Sequence, residues 1–501
     1  MSAIITSKFR LDTTNKFVES LSDNQFYMAL GRPNAWTDDA VPTTPYENDY
    51  TNNTLWENMF AMKRVDTTDI VHSATRNLWV SGTTYAEYDD QDTNLESKKY
   101  FVITENNNVY LCLKAGGGTS SIDPDVIGVQ TTGNHVIGSD GYIWKYIYTI
   151  PTSDVTKFLT SSFIPVRKIK SSPVAGSDTA LTNQWDVQQA AVDGAIYNIK
   201  VVAGGSGYAA GDVFTVTITG NGASAAVVDA NVTVTSGAIT KLLVSTPGTG
   251  YTHATVVITS NGSGTGATAR PVIGPVGGFG KDPTSDLRAH YVTINKAFTG
   301  DESATIPDSN DFRQISIIKN PIELANATIS HGSFVAGNFY KVLTLGDTAS
   351  ADNISAGMTD QSVGAVFKAL TVGTAGGTPG TAAQVAEANS YNTCKSLTVA
   401  GNAFTADQII EGTVTGAKGL VVEHTGGIIH YIQNEATGFG VFNHATDNVR
   451  VDGTSVSGTD ITAVGASLIN HHSGDVMFIE NKTATTRATD QVETVRLVIA
   501  F

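Results

Sequence analysis

The chain has 501 residues, enough for about three or four domains. Its residues are 41% apolar and 16% charged, which excludes a wholly disordered chain. Lysine and arginine number 31 against 47 aspartates and glutamates, so the formal net charge is −16. An acidic chain has no general attraction for phosphate backbones or anionic lipid, and we expect neither a nucleic acid nor a membrane among its partners.

The sequence shows no sign of a membrane span, a secretory signal or a disulfide framework. No stretch approaches the ~20 consecutive apolar residues that cross a bilayer. Residues 1–8 lack a basic region followed by a long apolar core, which indicates synthesis in the cytoplasm without secretion. The two cysteines, Cys112 and Cys394, are too few for a disulfide framework or a zinc cluster, and we expect buried free thiols.

Glycine, with 49 residues, and frequent Thr, Val and Ser predict β-strands joined by tight turns. Alternating apolar residues indicate strands in three runs: Phe26, Met28 and Leu30; Phe214, Val216 and Ile218; and Val495, Leu497, Ile499 and Phe501. We expect the last run to pair in a sheet and pack into a core. The apolar runs 419–423 and 428–432 also predict strands. Helical patterns predict two to four short helices, one capped by Asp12 and another beginning with the capping box Thr54–Glu57.

The middle of the chain contains an internal repeat. Gly205-Ser-Gly-Tyr208 recurs as Gly248-Thr-Gly-Tyr251, and each copy leads into a β-rich run and a glycine turn. Such a duplication indicates two similar β units that bury a shared apolar face, because a lone hairpin is marginally stable in water. We expect the two tyrosines to pack over the turns that their glycines permit. The alternative is a pair of aromatic platforms for a sugar.

Motifs for catalysis and metal binding are nearly absent from the sequence. It has no Gly-x-Ser-x-Gly elbow, no phosphate-binding Gly-x-x-x-x-Gly-Lys-Ser/Thr loop, no His-Glu-x-x-His pair and no EF-hand calcium loop. His471-His472 is the only histidine cluster, and adjacent strand residues point to opposite faces, which disfavours a shared metal ion. The cluster Asp89-Asp90-Gln-Asp92 is either a weak site for a hard cation or, as we favour, a solvated loop.

From these patterns we predict no catalytic residues, no metal site and no cofactor. Glycine spacings at 248–250 and 264–266 match fragments of dinucleotide-binding loops, but no helix pattern follows them to hold a pyrophosphate. Paired carboxylates for glycoside hydrolysis depend on the fold and not on sequence spacing, so that reaction stays open.

Five short segments carry a family resemblance: Ala3-Ile-Ile-Thr-Ser-Lys-Phe-Arg10, Leu30-Gly-Arg-Pro-Asn-Ala-Trp36, Ser139–Pro151, Phe312–Pro321 and Ser473–Lys482. In this order they resemble the baseplate wedge protein encoded by gene eight of T4-like contractile-tailed phages. The resemblance covers residues 1–197, 286–322 and 473–501. It is interrupted by two apparent insertions, which look like glycine-rich β modules found in structural proteins of cyanobacterial myophages.

The resemblance implies a mainly β, multidomain protein with a β-sandwich-like framework, a few short helices and two inserted β-rich modules. Residues 1–197 would form the N-terminal part of the framework, 286–322 its continuation and 473–501 its C-terminal strand region. Residues 198–285 would be an inserted glycine-rich β repeat module, and 323–472 one or more inserted β-rich modules.

The resemblance also implies a structural, non-enzymatic protein of the virion, located in the tail baseplate. It would form a homodimer and contact other wedge proteins, the counterparts of the T4 gene six, seven and ten products, during baseplate assembly and rearrangement. Buried aromatic residues carry much of the energy of such contacts. For four tryptophans of the family-like N-terminal part, however, we expect core packing; these four are Trp36, Trp56, Trp79 and Trp144.

Two other functions remain open. A receptor-binding adhesin or tail-fibre-associated protein would recognise host surface glycans through residues 198–285 and 323–472. A secreted polysaccharide-degrading enzyme would need a secretion route, and the sequence does not show one.

Overall fold

The computed structural model describes residues 4–131, 136–229, 232–299, 306–324, 328–401 and 403–501. Strands make up 40% of the structure and helices 13%, which confirms the predicted class of a mainly β, multidomain protein. Six α-helices occur in the described ranges, where two to four were expected. No helix in these ranges is long and apolar enough to cross a membrane.

The helices are short and scattered along the chain. The α-helices are Ser7–Ser20 (α1), Asp49–Asn58 (α2), Thr152–Phe158 (α3), Thr179–Gln189 (α4), Pro283–Asp286 (α5) and Ser350–Ser355 (α6). Single 3-10 turns occupy Thr67–Asp69, Leu95–Ser97 and Pro124–Ile127.

Both predicted helix starts are wrong. The hydroxyl of Thr6 accepts a hydrogen bond from the backbone N–H three residues later (3.2 Å), so α1 begins directly after Thr6 and Asp12 lies inside the helix. The side chain of Asn48 accepts from the backbone N–H three residues later (2.8 Å) and caps α2, so Thr54 also lies inside a helix. In each case an earlier polar side chain satisfies the free amides of the first turn.

Strands form most of the remaining structure. The first sixteen are Phe26–Gly31 (β1), Met59–Val65 (β2), Ile70–Thr75 (β3), Phe101–Ile103 (β4), Asn108–Lys114 (β5), Val136–Ile137 (β6), Ile143–Thr149 (β7), Phe163–Val166 (β8), Ile196–Ser206 (β9), Phe214–Gly220 (β10), Val227–Val228 (β11), Thr233–Thr235 (β12), Ala238–Lys241 (β13), Val244–Thr246 (β14), Ala254–Ser260 (β15) and Thr265–Ile273 (β16).

The strands that follow are Tyr291–Thr299 (β17), Asp311–Lys319 (β18), Ile322–Glu323 (β19), Ile329–Ser330 (β20), Phe339–Gly346 (β21), Val366–Lys368 (β22), Pro379–Gln384 (β23), Ser390–Asn392 (β24), Lys395–Val399 (β25), Ile409–Gly412 (β26), Lys418–Thr425 (β27), Ile428–Ile432 (β28), Asn448–Val451 (β29), Thr459–Gly465 (β30), Ile469–Asn470 (β31), Asp475–Thr486 (β32) and Val492–Ala500 (β33).

The chain divides into two compact units. The first unit contains Met1–Asn15, Val71–Thr293 and Leu497–Phe501, and the second contains Lys16–Ile70 and Ile294–Arg496. In the first unit, β4-β5-β7-β6 form a four-stranded sheet and β9 to β16 form two-stranded ribbons. In the second unit, β24-β2-β1-β18-β32 form a five-stranded sheet, here called the framework sheet, and β20-β23-β21-β22 form a four-stranded sheet.

The framework sheet brings distant parts of the sequence into one layer. Leu30 of β1 lies opposite Ile315 of β18, which in turn lies opposite Glu480 of β32. All six residues of β1 are buried, because this central strand is covered on both faces. Tyr27, Trp56 and Tyr391 belong to the core cluster beside it.

The internal repeat forms a compact β module from β9 to β16, here called the repeat module. Strands of one copy pair with strands of the other: β10 with β15, β9 with β16, and β11 with β14. The tyrosine of each copy likewise packs against a glycine of the other copy. A Cβ atom at Gly222 would overlap the ring of Tyr251, and a Cβ atom at Gly264 would overlap the ring of Tyr208. Each copy therefore supplies the glycine turn on which the tyrosine of the other copy packs.

The hydrogen bonds of the two tyrosines repeat this exchange. The hydroxyl of Tyr251 accepts from the backbone N–H of Ala226 (3.0 Å), and that of Tyr208 accepts from the backbone N–H of Ala267 (3.3 Å). Both tyrosines are buried, with 5% and 8% exposure respectively. The predicted packing of each tyrosine over its own glycines is confirmed, because a Cβ atom at Gly205 would lie 2.8 Å from the Tyr208 ring and one at Gly248 would lie 2.9 Å from the Tyr251 ring. The alternative of exposed aromatic platforms is wrong.

Residues 395–465 contain a closed barrel, β25-β28-β27-β26-β29-β30, here called the barrel. Its interior is apolar, and Leu397, Val421 and Ile429 are fully buried. Just outside it, β19 pairs with β31, so that Ile322 lies opposite Asn470. The predicted β runs at 419–423 and 428–432 are confirmed as parts of β27 and β28. The domain boundaries inferred from the resemblance remain predictions.

The final strand is paired as expected. β33 neighbours β17 in a sheet of order β33-β17-β3-β8. Val495 and Leu497 are buried, whereas Ile499 and Phe501 are half-buried. The expected pairing in a sheet is therefore confirmed, with full burial limited to two of the four apolar residues.

Candidate functional site

The acidic cluster at 89–92 is a loop that is only partly solvated, because Asp90 and Gln91 are exposed whereas Asp89 is buried. Asp89 is 4% exposed, and its carboxylate accepts from Lys200 (2.5 Å) and Arg270 (2.5 Å). Asp90 also pairs with Arg270 (3.2 Å), and Asp92 pairs with Lys98. Burial alone would raise the pKa of Asp89, but the hydrogen bonds from Arg270 and Lys200 hold this pKa at about 2. The carboxylates are thus partnered by cations of the protein itself.

The histidine pair is held by packing and a backbone bond. The Nε2 atom of His471 lies 2.9 Å from the carbonyl oxygen of Thr393, and its ring lies beside Trp56. Burial lowers the pKa of His471. Across the described ranges, no group of three or more His, Cys, Asp or Glu side chains is arranged to hold a metal ion.

The cysteines and two of the tryptophans lie in the core. Cys112 and Cys394 are buried free thiols, as predicted, and burial raises the pKa of each. Core packing is confirmed for Trp56 and Trp144, which are 2% and 1% exposed. Trp79 is half-buried and packs against the same cluster as Trp144.

Trp36, by contrast, is half-buried and lines a cavity of the second unit whose volume is about 460 Å³. Its indole N–H donates to the carbonyl of Lys482 (3.0 Å), and the guanidinium of Arg32 lies 3.6 Å from the ring centroid. The hydrogen bond holds the edge of the indole ring, and the Arg32 guanidinium covers its face. Tyr46 and Tyr50 line the same cavity, and they are 73% and 60% exposed.

Polar side chains with planar ends form much of the remaining wall. The amides are Asn34, Asn58, Gln314, Asn434 and Asn481. Two of the amide pairs are bonded to each other: Asn434 donates to Asn58 (2.9 Å) and Gln314 donates to Asn481 (2.8 Å). Gln314 and Asn481 stand on the neighbouring strands β18 and β32, so the framework sheet itself supplies part of the wall.

The lining also contains two carboxylates. Glu435 accepts a hydrogen bond from the hydroxyl of Tyr50 (2.9 Å), which fixes the direction of that ring. Glu57 stands on α2, and burial raises its pKa. Three buried polar atoms of lining residues have no hydrogen-bond partner within the described chain; they are Arg32 Nε, Asn34 Oδ1 and Glu57 Oε2.

Such a wall suits a small polar ligand with some apolar surface. Amides both donate and accept, carboxylates accept, and tyrosine rings offer apolar faces. Sequence reasoning singled out Trp36 but missed Tyr46, Tyr50, Glu57 and Asn434. A local signal was available, because Tyr46 lies in the polar, proline-containing segment between β1 and α2, and Tyr50 lies in the first turn of α2.

No known protein-family model matches this chain, and no curated protein matches it. The comparisons therefore assign no family.

Proposed function

We propose that this chain is a structural component of the tail baseplate wedge of a contractile-tailed phage. It contacts other wedge proteins and takes part in baseplate assembly and rearrangement. The proposal starts from the five ordered segments that resemble the wedge protein of T4-like phages.

One structural observation supports the proposal most strongly. Three of the five segments, 30–36, 312–321 and 473–482, are separated in sequence by both apparent insertions. Leu30, Ile315 and Glu480, one from each segment, lie opposite one another across three adjacent strands. Segments that resemble one family and form one sheet are expected of a framework whose sequence has been lengthened by insertions in its loops.

The chain's partners follow from this role. We propose that it forms a homodimer and binds the counterparts of the T4 gene six, seven and ten products. Both copies are acidic, so dimerisation needs a substantial apolar contact, on the order of 1,200–2,000 Å² of total buried surface. Light scattering of the isolated protein that shows only a 52.6 kDa species would contradict the homodimer.

Co-expression with the proteins encoded by the neighbouring genes tests the proposal. We expect the chain to co-purify with wedge proteins as a complex of fixed composition in native mass spectrometry. We also expect peptides of the chain in the tail fraction of purified virions. A chain that stays separate from all its neighbours and is missing from virions is not a wedge component.

A further inference from the structure

We propose that the cavity lined by Trp36, Tyr46 and Tyr50 is a binding site for a neutral saccharide. The baseplate role does not require such a site, so either proposal can fail while the other holds. The cavity volume, about 460 Å³, lies within the range of roughly 300–1,000 Å³ that is usual for small-molecule sites.

The aromatic residues supply the apolar part of the site. A sugar ring has apolar C–H faces, and these need a flat apolar surface that remains accessible. Tyr46 and Tyr50 line the cavity and yet are 73% and 60% exposed, so their rings are open to a ligand. The Tyr50 ring is also oriented in advance by its hydrogen bond to Glu435, which lowers the entropy lost on binding.

The planar polar groups supply the hydroxyl-binding part. A sugar hydroxyl both donates and accepts, and so does a side-chain amide. Five amides line this one cavity, and two pairs of them are already bonded at 2.9 Å and 2.8 Å, which holds their remaining donors and acceptors in place. Buried Arg32 Nε, Asn34 Oδ1 and Glu57 Oε2 have no partner within the described chain, and such orphaned groups are costly unless a ligand or water bonds them.

The charged side chains of the cavity wall discriminate between neutral and acidic sugars. Among the described residues of the lining, Glu57 and Glu435 are the carboxylates and Arg32 is the one cation. The Arg32 guanidinium already lies against the Trp36 ring at 3.6 Å. A uronic or sialic acid would bring its negative charge towards two carboxylates, with a single cation to offset them. The wall therefore favours an uncharged sugar.

The full chain is the right material for the test, probed with an array of neutral and acidic oligosaccharides. Calorimetric titration then gives the affinity for the strongest binder. We expect binding to a neutral oligosaccharide. Tyr46→Ala and Tyr50→Ala together should weaken that binding about tenfold or more, because they remove both stacking surfaces. Phe9→Ala is the matched control, since Phe9 is 62% exposed and stands in the first unit.

The two tyrosines are exposed, so the double variant should melt at the temperature of the wild type. If it does not, Tyr46→Leu with Tyr50→Leu keeps apolar bulk without an aromatic face, and the same loss of affinity is expected. The proposal is overturned if the wild type binds no neutral saccharide at millimolar concentration. Preference for acidic saccharides, or equal affinity of the wild type and a folded double variant, would also overturn it.

Discussion

The repeat module and the barrel both lie in regions that the family resemblance predicts to be insertions, but they bury their apolar side chains differently. In the barrel, eleven apolar residues of the core cluster are buried and one is only partly buried. In the repeat module, eight are buried and thirteen are only partly buried. A closed barrel has an enclosed interior, whereas two-stranded ribbons leave much of their surface in water.

The difference shows two ways of stabilising a glycine-rich β region. The barrel depends on fully buried aliphatic side chains. The repeat module depends on a few points where a tyrosine of one copy fits a glycine turn of the other. Core truncation should therefore be costly in the barrel, and added volume at a turn should be costly in the repeat module.

The largest expected effect is a truncation in the barrel. Ile429 is fully buried, and Ile429→Ala should lower the free energy of unfolding by about 2–5 kcal/mol. Val256→Ala, at a partly buried position of the repeat module, should cost about 1 kcal/mol. Urea unfolding of each variant measures both values. Val414→Ala, at a 68% exposed position in the barrel, is the control. Equal costs at Ile429 and Val256 would remove the distinction between the two regions.

The barrel should also respond to pH through Glu423. This residue is 6% exposed and accepts from the backbone N–H of Asp308 (2.9 Å). Burial, and then the nearby Asp308 carboxyl, raise its pKa from the ordinary value of 4.5 to about 7. Between those two values the unfolded chain binds fewer protons than the folded one, so stability falls as the pH rises. The direction follows from proton linkage, because the folded state holds the proton that the unfolded state has already lost.

Glu423→Gln should remove this pH dependence. The amide keeps an acceptor for the Asp308 N–H and carries no charge. Urea unfolding of the wild type and the variant between pH 4 and pH 8 gives the difference in stability at each pH, which cancels the other titrating groups. The variant should gain stability relative to the wild type as the pH rises through this window. A difference that does not change with pH contradicts the raised pKa.

In the repeat module, each tyrosine packs on a glycine turn of the other copy, so substitutions at the two turns should destabilise the module by similar amounts. Gly222→Ala and Gly264→Ala each place a methyl group against a buried tyrosine ring, and overpacking of this kind costs about 1–3 kcal/mol. Because the two sites are equivalent, their costs should be similar. Gly211→Ala is the control, because a Cβ atom there has nothing within 4 Å. Hydrogen exchange of the module peptides measures each loss, and a large cost at one site only would mean that the copies do not interlock symmetrically.

Local patterns in the sequence predicted many of the strands. Contacts between residues far apart in the chain could not be predicted from such patterns. The strands around 214–218, 419–423 and 428–432 followed from apolar runs, and the burial of Tyr208 and Tyr251 followed from their glycine turns. The ion pair between Asp89 and Arg270 joins residues 181 positions apart, and no local period encodes it. The cavity was missed for the same reason, since the Asn58–Asn434 hydrogen bond that forms its wall spans 376 positions.

The smallest expected effect concerns ion pairs, where the two regions also differ. Asp89 is 4% exposed and bonds Lys200 and Arg270, on the module strands β9 and β16. Because both cations are partly exposed, Asp89→Asn should cost about 1–2 kcal/mol. In the barrel, Asp452 pairs with Lys418 at 2.8 Å with both side chains about one-third exposed, and Asp452→Asn should cost less than about 0.5 kcal/mol. Salt should weaken the barrel pair and leave the Asp89 contacts nearly unchanged, because a buried carboxylate is poorly screened. Urea unfolding at low and high salt measures both, and a loss at Asp452 as large as that at Asp89 would show that burial does not decide the strength of these pairs.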